Sequence, residues 1–193
     1  MKKFALALLG IVCLMATATR AQTLITLATG TDTVAVLKLI KEGANVNQID
    51  EYGTTPLMNA CRWGQLPMVK LLLANGAKVD EPKSPMGRTP LMVACAYYAG
   101  LDIISLLVDN GAKINAKATD GTTPLMLAAG NAKLNVVQYL LTKGATAKTK
   151  DNKGKTALDY AIKLDDETIS FIKDAAKDCV IDKDAVVALL ATK

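Results

Sequence analysis

Thr-Pro-Leu-Met is written three times in this chain, at Thr55, Thr89 and Thr123, and a fourth time in weakened form as Thr156-Ala157-Leu158-Asp159. The copies start 34, 34 and 33 residues apart. A fixed period of this length constrains the fold more than any other feature. Each period is one supersecondary unit that cannot bury its apolar face alone, so the units stack and share one elongated core.

Within a period every conserved-looking letter has a physical task. A glycine (Gly53, Gly87, Gly121, Gly154) opens each unit with a backbone suited to a tight turn. The Thr two residues later is placed to cap a helix, and the Pro after it stands at the first helical position, where a missing N–H costs nothing. Leu57, Leu91, Leu125 and Leu158 are expected to point inward, followed by a short helix bearing Met-x-Ala. A loop leads to a second helix with the pairs Leu71-Leu72, Leu106-Leu107 and Leu140-Leu141. Gly-Ala at Gly43, Gly76, Gly111 and Gly144 stops that helix, and the chain runs out into an extended hairpin. Before the first Gly-Ala, Val34, Leu37, Leu39 and Ile40 give helical spacing from a start at Asp32. That stretch reads as an amino-terminal cap.

Turn glycine, Thr-Pro-Leu, Leu-Leu and Gly-Ala recurring in register resemble the ankyrin repeat. The resemblance covers nearly all the chain after its first 21 residues and is strongest over 50–150. It implies an all-α solenoid of stacked helix-turn-helix units with β-hairpin or turn connections. The expected layout is a cap at 22–48, full repeats at about 49–80, 81–115 and 116–148, and a divergent repeat with a closing cap at 149–193. In that last part Asp165 or Asp166 starts a helix with Ile169, Ile172 and Ala176 on one face, and a final helix from Asp182 turns Val186, Leu189 and Leu190 inward.

Two departures from the family pattern stand out. The position after Leu is usually His, yet this chain has no His and puts Met58, Met92, Met126 and Asp159 there. Packing of Met is expected to take over the support that the family's His gives the turn. The second full repeat also carries two extra residues, one bracketed by Pro82 and Pro85 and one near Tyr97-Tyr98-Ala99-Gly100. Both fall in connections, where a binding surface changes without disturbing the stack.

The first 21 residues are set apart from the fold. Lys2 and Lys3, an apolar run from Phe4 to Met15 and small residues after it have the layout of a bacterial secretory leader. Cleavage is expected after Ala21, with Ala18 as the alternative, exporting the chain to the periplasm or beyond the cell. The run is too short to span a bilayer comfortably, and Gly10-Ile11-Val12 lacks the small residue a lipidated Cys13 would need beside it. Losing Lys2, Lys3 and Arg20 leaves 20 basic residues against 18 acidic ones, so a nucleic-acid partner is not expected. Neither is a membrane partner once the leader is gone, and a monomer is. Cys61, Cys95 and Cys179 remain, an odd number. Cys61 and Cys95 hold equivalent places in successive repeats, about 10 Å apart as packed helices are, and are expected to be reduced core residues beyond disulfide reach.

Enzyme chemistry finds little to work with. Without His or a Cys-x-x-Cys, the His-based triads and zinc sites are out of reach, and no phosphate loop or dinucleotide fingerprint occurs. No metal or cofactor is expected. Ser170-Phe171-Ile172-Lys173 spells the Ser-x-x-Lys of acyl-enzymes but lacks its companion motifs. Asp165 and Asp166 are neighbours that point apart on a helix. The expected function is binding another protein, with inhibition or immunity toward an exported toxin-like enzyme as a narrower form and a Ser-Lys hydrolase as a remote one.

In the ankyrin pattern, partner contacts come from the hairpin tip before Thr-Pro-Leu and from the end of the first helix, on the concave side. Carried over, this gives Tyr52, Arg62 and Trp63 in the first full repeat, Met86, Arg88, Tyr97 and Tyr98 in the second, and Asn131 in the third. The lone Trp, three of the five Tyr and two Arg thus fall on two adjacent repeats. Trp, Tyr and Arg dominate interface hot spots.

Overall fold

The computed structural model describes residues 23–80, 85–97, 99–165, 169–170 and 180–193. The leader, Tyr98, Asp166, Ile172, Lys173, Ala176 and Cys179 lie outside the described residues. After a helical turn at 23–27, the helices are α1 (Thr33–Lys41), α2 (Pro56–Arg62), α3 (Leu66–Ala74), α4 (Pro90–Ala96), α5 (Leu101–Asp109), α6 (Pro124–Ala129), α7 (Leu134–Thr142), α8 (Ala157–Ile162) and α9 (Lys183–Ala191). They stack in two layers. α2, α4, α6 and α8 follow one another in the first, and α1, α3, α5 and α7 form the second. α9 packs on α7 and α8, where a further repeat would begin. The result is an all-helical solenoid with turns between its units, as the period requires.

Thr-Pro-Leu-Met starts each first-layer helix as the letters dictate. Thr55, Thr89 and Thr123 are extended, and their hydroxyls accept from the backbone N–H of Met58 (3.1 Å), Met92 (3.3 Å) and Met126 (3.3 Å). The three methionines are at most 2 % exposed, so the place of the family's His is filled by packing. In the fourth copy the carboxylate of Asp159 accepts from both the N–H and the hydroxyl of Thr156 at 2.7 Å, restoring a polar brace. Leu57, Leu91 and Leu125 are buried, whereas Leu158 is only half-buried at the worn end.

The Gly-Ala stops are left-handed helix ends. In α3 the N–H of Gly76 donates to Leu73 O (3.1 Å) and that of Ala77 to Leu72 O (2.9 Å), and Gly76 has φ +84°. Two carbonyls left over by the helix are thereby satisfied. Of each Leu pair, Leu72, Leu107 and Leu140 are fully buried and their partners Leu71, Leu106 and Leu141 half-buried.

The amino-terminal cap departs from expectation in one residue. Asp32 does cap α1, accepting from Ala35 N at 2.9 Å. Val34, however, is 78 % exposed, and Val36 is the buried valine of that helix. The turn at 23–27 supplies the missing apolar surface through Leu24, Ile25 and Ala28, and Ile25 O accepts from the amide of Asn59 at 3.1 Å. At the other end Asp182 caps α9 by accepting from Ala185 N at 2.9 Å, and Val186 and Leu190 are buried.

Candidate functional site

The hairpins before Thr-Pro-Leu are knitted to one another. Asp50 Oδ1 accepts from the N–H of Tyr52 (2.9 Å) and Thr54 (2.7 Å), and Asp151 Oδ1 does the same for Lys153 (2.9 Å) and Lys155 (2.8 Å). From tip to tip, Met86 O accepts from the N–H and hydroxyl of Thr119, and Asp120 O accepts from Asn152 N at 3.0 Å. Gly121 has φ +80°, and a Cβ there would stand 2.8 Å from Asn152 N. Glycine is required by both the turn and the closeness of the next hairpin. The second, third and fourth tips are thereby linked in a row, while the first is braced within itself by Asp50.

Between the first two full repeats this row and the ends of α2 and α4 enclose a groove of about 270 Å³. Met58 and Val93 line it from the buried side; Glu51, Tyr52, Thr54, Pro85, Met86 and Arg88 come from the hairpins. Arg62 and Tyr97 complete it from the helix ends, with the Arg62 guanidinium 4.5 Å from the centre of the Tyr97 ring. Tyr52 and Met86 are 69 % and 63 % exposed, unusual for large apolar side chains. The Nε of Arg62 is buried and has no hydrogen-bond partner.

Five residues read from the sequence as contact positions, Tyr52, Arg62, Met86, Arg88 and Tyr97, thus meet in one groove. Trp63, half-exposed at the end of α2, is outside its lining, and Asn131 is committed elsewhere, its amide donating to Leu127 O at 2.7 Å to close the end of α6. Tyr98 falls outside the described residues.

One residue central to the groove's shape escaped the sequence reading. Where α2 ends, Gly64 (φ +66°) allows Gln65 N to reach Ala60 O at 2.9 Å. α6 ends likewise, with Ala132 (φ +50°) in the glycine's place and Lys133 N on Ala128 O at 3.1 Å. At the end of α4 the residue in that place, Tyr98, lies outside the described residues, and the sequence there is one residue longer. The carbonyls at this end of α4 are met by the side chain of Lys133 from the next repeat, whose Nζ donates to Ala94 O (3.3 Å), Tyr97 O and Ala99 O (3.4 Å). Lys133 is 1 % exposed, and the backbone around it is covered by the carboxy-terminal strand-like segment, with Leu134 N on Val180 O at 2.8 Å and Asp182 N on Ala132 O at 2.9 Å. Ala132 and Ile181 pack there with Leu164 and Ile169. A lysine ammonium offers three donors, so one side chain from the third repeat fixes the backbone that presents Tyr97. The sequence hint was the extra residue near Tyr97.

Cys61 and Cys95 are buried free thiols, and burial, with the neighbouring Cys95 as a lesser cause, pushes the Cys61 thiol far above its ordinary range. Such a thiol is inert. Among the described residues there is no cluster of His, Cys, Asp and Glu able to hold a metal ion, and no helix is long and apolar enough to cross a membrane. Ser170 is exposed and its would-be partner Lys173 is outside the described residues.

A stack of helix pairs with a knitted row of hairpin tips and a rigid apolar groove beside it defines a repeat scaffold for binding other proteins. Residues 24–118 and 96–183 match the model of ankyrin repeats in three copies. The chain belongs to the ankyrin-repeat family, whose members are generally non-enzymatic interaction scaffolds. No curated protein matches the chain.

Proposed function

We propose that this protein is an exported binding module that grips a partner protein in the groove between its first two full repeats. The observation that carries this reading is the convergence of Tyr52, Arg62, Met86, Arg88 and Tyr97 from two repeats over Met58 and Val93. Large side chains left in water at the rim of an apolar groove lose little on binding and contribute much, because their positions are already set. Export rests on the leader-like first 21 residues, and the mature chain would then start at Gln22.

A photoreactive phenylalanine analogue placed at Tyr52 tests the site in cells of the source organism, with the same analogue at Lys70, exposed on the outer helix α3, as the control. A covalent adduct with one protein from position 52 and none from position 70 is the expected result. Equal labelling from both positions, or from 70 alone, would remove the groove from consideration. The mass of the purified protein's first tryptic peptide checks the leader: a chain beginning at Met1 in the exported fraction refutes its cleavage.

A further inference from the structure

We infer that the groove is built for an extended segment of the partner carrying an aspartate or glutamate beside an apolar side chain, with Arg62 gripping the carboxylate. The inference rests on the proposed binding role of this groove and gives its ligand a chemistry.

Arg62 differs from the other charged residues around it. Its guanidinium is laid against the Tyr97 ring rather than on a carboxylate, and its Nε is buried without an acceptor while the residue as a whole is half-buried. An arginine held by stacking alone keeps its hydrogen-bonding edges for a ligand. A stacked guanidinium, moreover, is the geometry that presents two parallel N–H groups to a planar carboxylate. Arg88 is partly answered inside the chain. The carboxyl of Asp120 is held below the usual carboxylate range first by the side-chain hydrogen bond from Thr122, and among lesser causes by the charge of Arg88. Glu51, exposed at the hairpin tip, is the acidic member of the lining, so the groove carries two cations to one anion. Apart from Thr54, the remaining lining is apolar or aromatic: Tyr52, Met58, Pro85, Met86, Val93 and Tyr97. An apolar side chain of the partner fits over Met58 and Val93 while the acid beside it reaches Arg62. A groove of about 270 Å³ suits one such side chain and its neighbour, not a folded domain surface.

Immobilised peptides test this with the full mature chain. Each peptide carries Leu or Phe next to Asp or Glu, and its twin carries Asn or Gln at the same place. Acidic peptides are expected to bind about tenfold or more tightly than their amide twins, the effect of one charge-assisted hydrogen-bond pair. Arg62→Gln abolishes that preference, and Tyr52→Ala weakens both sets alike, with the far-UV dichroism of both variants unchanged. Equal binding of acid and amide twins, lost in Tyr52→Ala, would overturn the carboxylate while leaving the groove as the binding site. Failure of every peptide to bind would overturn the groove reading and this inference together. Light scattering of the free protein adds one more arm: a dimer at high concentration that Arg62→Gln dissolves would make a second copy of the chain the occupant and overturn the inference.

Discussion

Two hollows near the first-layer helices are built on opposite plans. In the hollow of the last repeat, lined by Gly130, Asp151, Lys153, Lys155, Asp159, Tyr160, Lys163 and Leu164, its key polar groups are occupied at home. The hydroxyl of Tyr160 donates to Asp151 Oδ2 at 2.8 Å, Asp151 Oδ1 is bound by two backbone N–H groups, and Asp159 is bound to Thr156. In the groove of the first two repeats, large apolar side chains stand in water and a buried donor lacks an acceptor. The same repeat position thus serves two ends. In the one, the acids of the turn are met by tyrosine and backbone; in the other, Arg62 stacks on Tyr97, Glu51 is the one acid of the lining, and large side chains remain exposed.

The sharpest way to break the contrast is to remove the support beneath the open groove. Lys133→Met removes a buried donor shared by three carbonyls and is expected to lower unfolding stability by about 3 kcal/mol, measured in urea. It should also weaken peptide binding, because Tyr97 loses its backbone anchor. A smaller effect is expected where hairpins touch. Gly121→Ala combines a left-handed φ with a clash on the next hairpin and should cost about 2 kcal/mol, whereas Gly154→Ala, with φ +75° and open space around it, should cost about 1 kcal/mol. Equal losses at the two glycines would mean that the tip-to-tip contact is not rigid. Tyr160→Phe removes one hydrogen bond from the closed hollow, an expected loss of about 1 kcal/mol with peptide binding in the open groove unaltered.

The gentlest probe is acid. The carboxyl of Asp151 sits below the usual carboxylate range because the backbone N–H of Lys155, the Tyr160 hydroxyl and the N–H of Lys153 favour its charged form over the opposing cost of desolvation. A depressed folded-state value means that its contribution is complete at neutral pH and is lost as pH falls below about 4. Asp151→Asn should therefore flatten the acid limb of the stability profile, and an unchanged limb would assign acid sensitivity elsewhere.

The fold was legible because its signals are local. Thr89 caps a helix three residues on, and Gly76 ends one at its own position, so the letters carry their own geometry. The partial errors came where a distant layer decides the outcome. Val34 has the right spacing for a core residue, yet it is exposed and Val36 is the buried valine, which the spacing within α1 alone does not reveal. Tyr52, Arg62, Met86, Arg88 and Tyr97 all follow from their places at the hairpin tip and the end of the first helix of each repeat. Lys133 was invisible because its partners are carbonyls 34 to 39 residues away and because lysine in a sequence reads as solvated surface.

Repeat arrays are ordinarily modular, since each unit meets its neighbours through interchangeable faces, and units can be deleted, duplicated or swapped by recombination. Lys133 withdraws that freedom at one junction. The end of the second full repeat is held by a lysine that the third lends it, and the carboxy-terminal segment pairs with the backbone around that lysine. A chimera joining the second repeat to any other follower would strand the end of α4. The three segments have to be inherited as a block, and the groove beside Tyr97 is inherited with them.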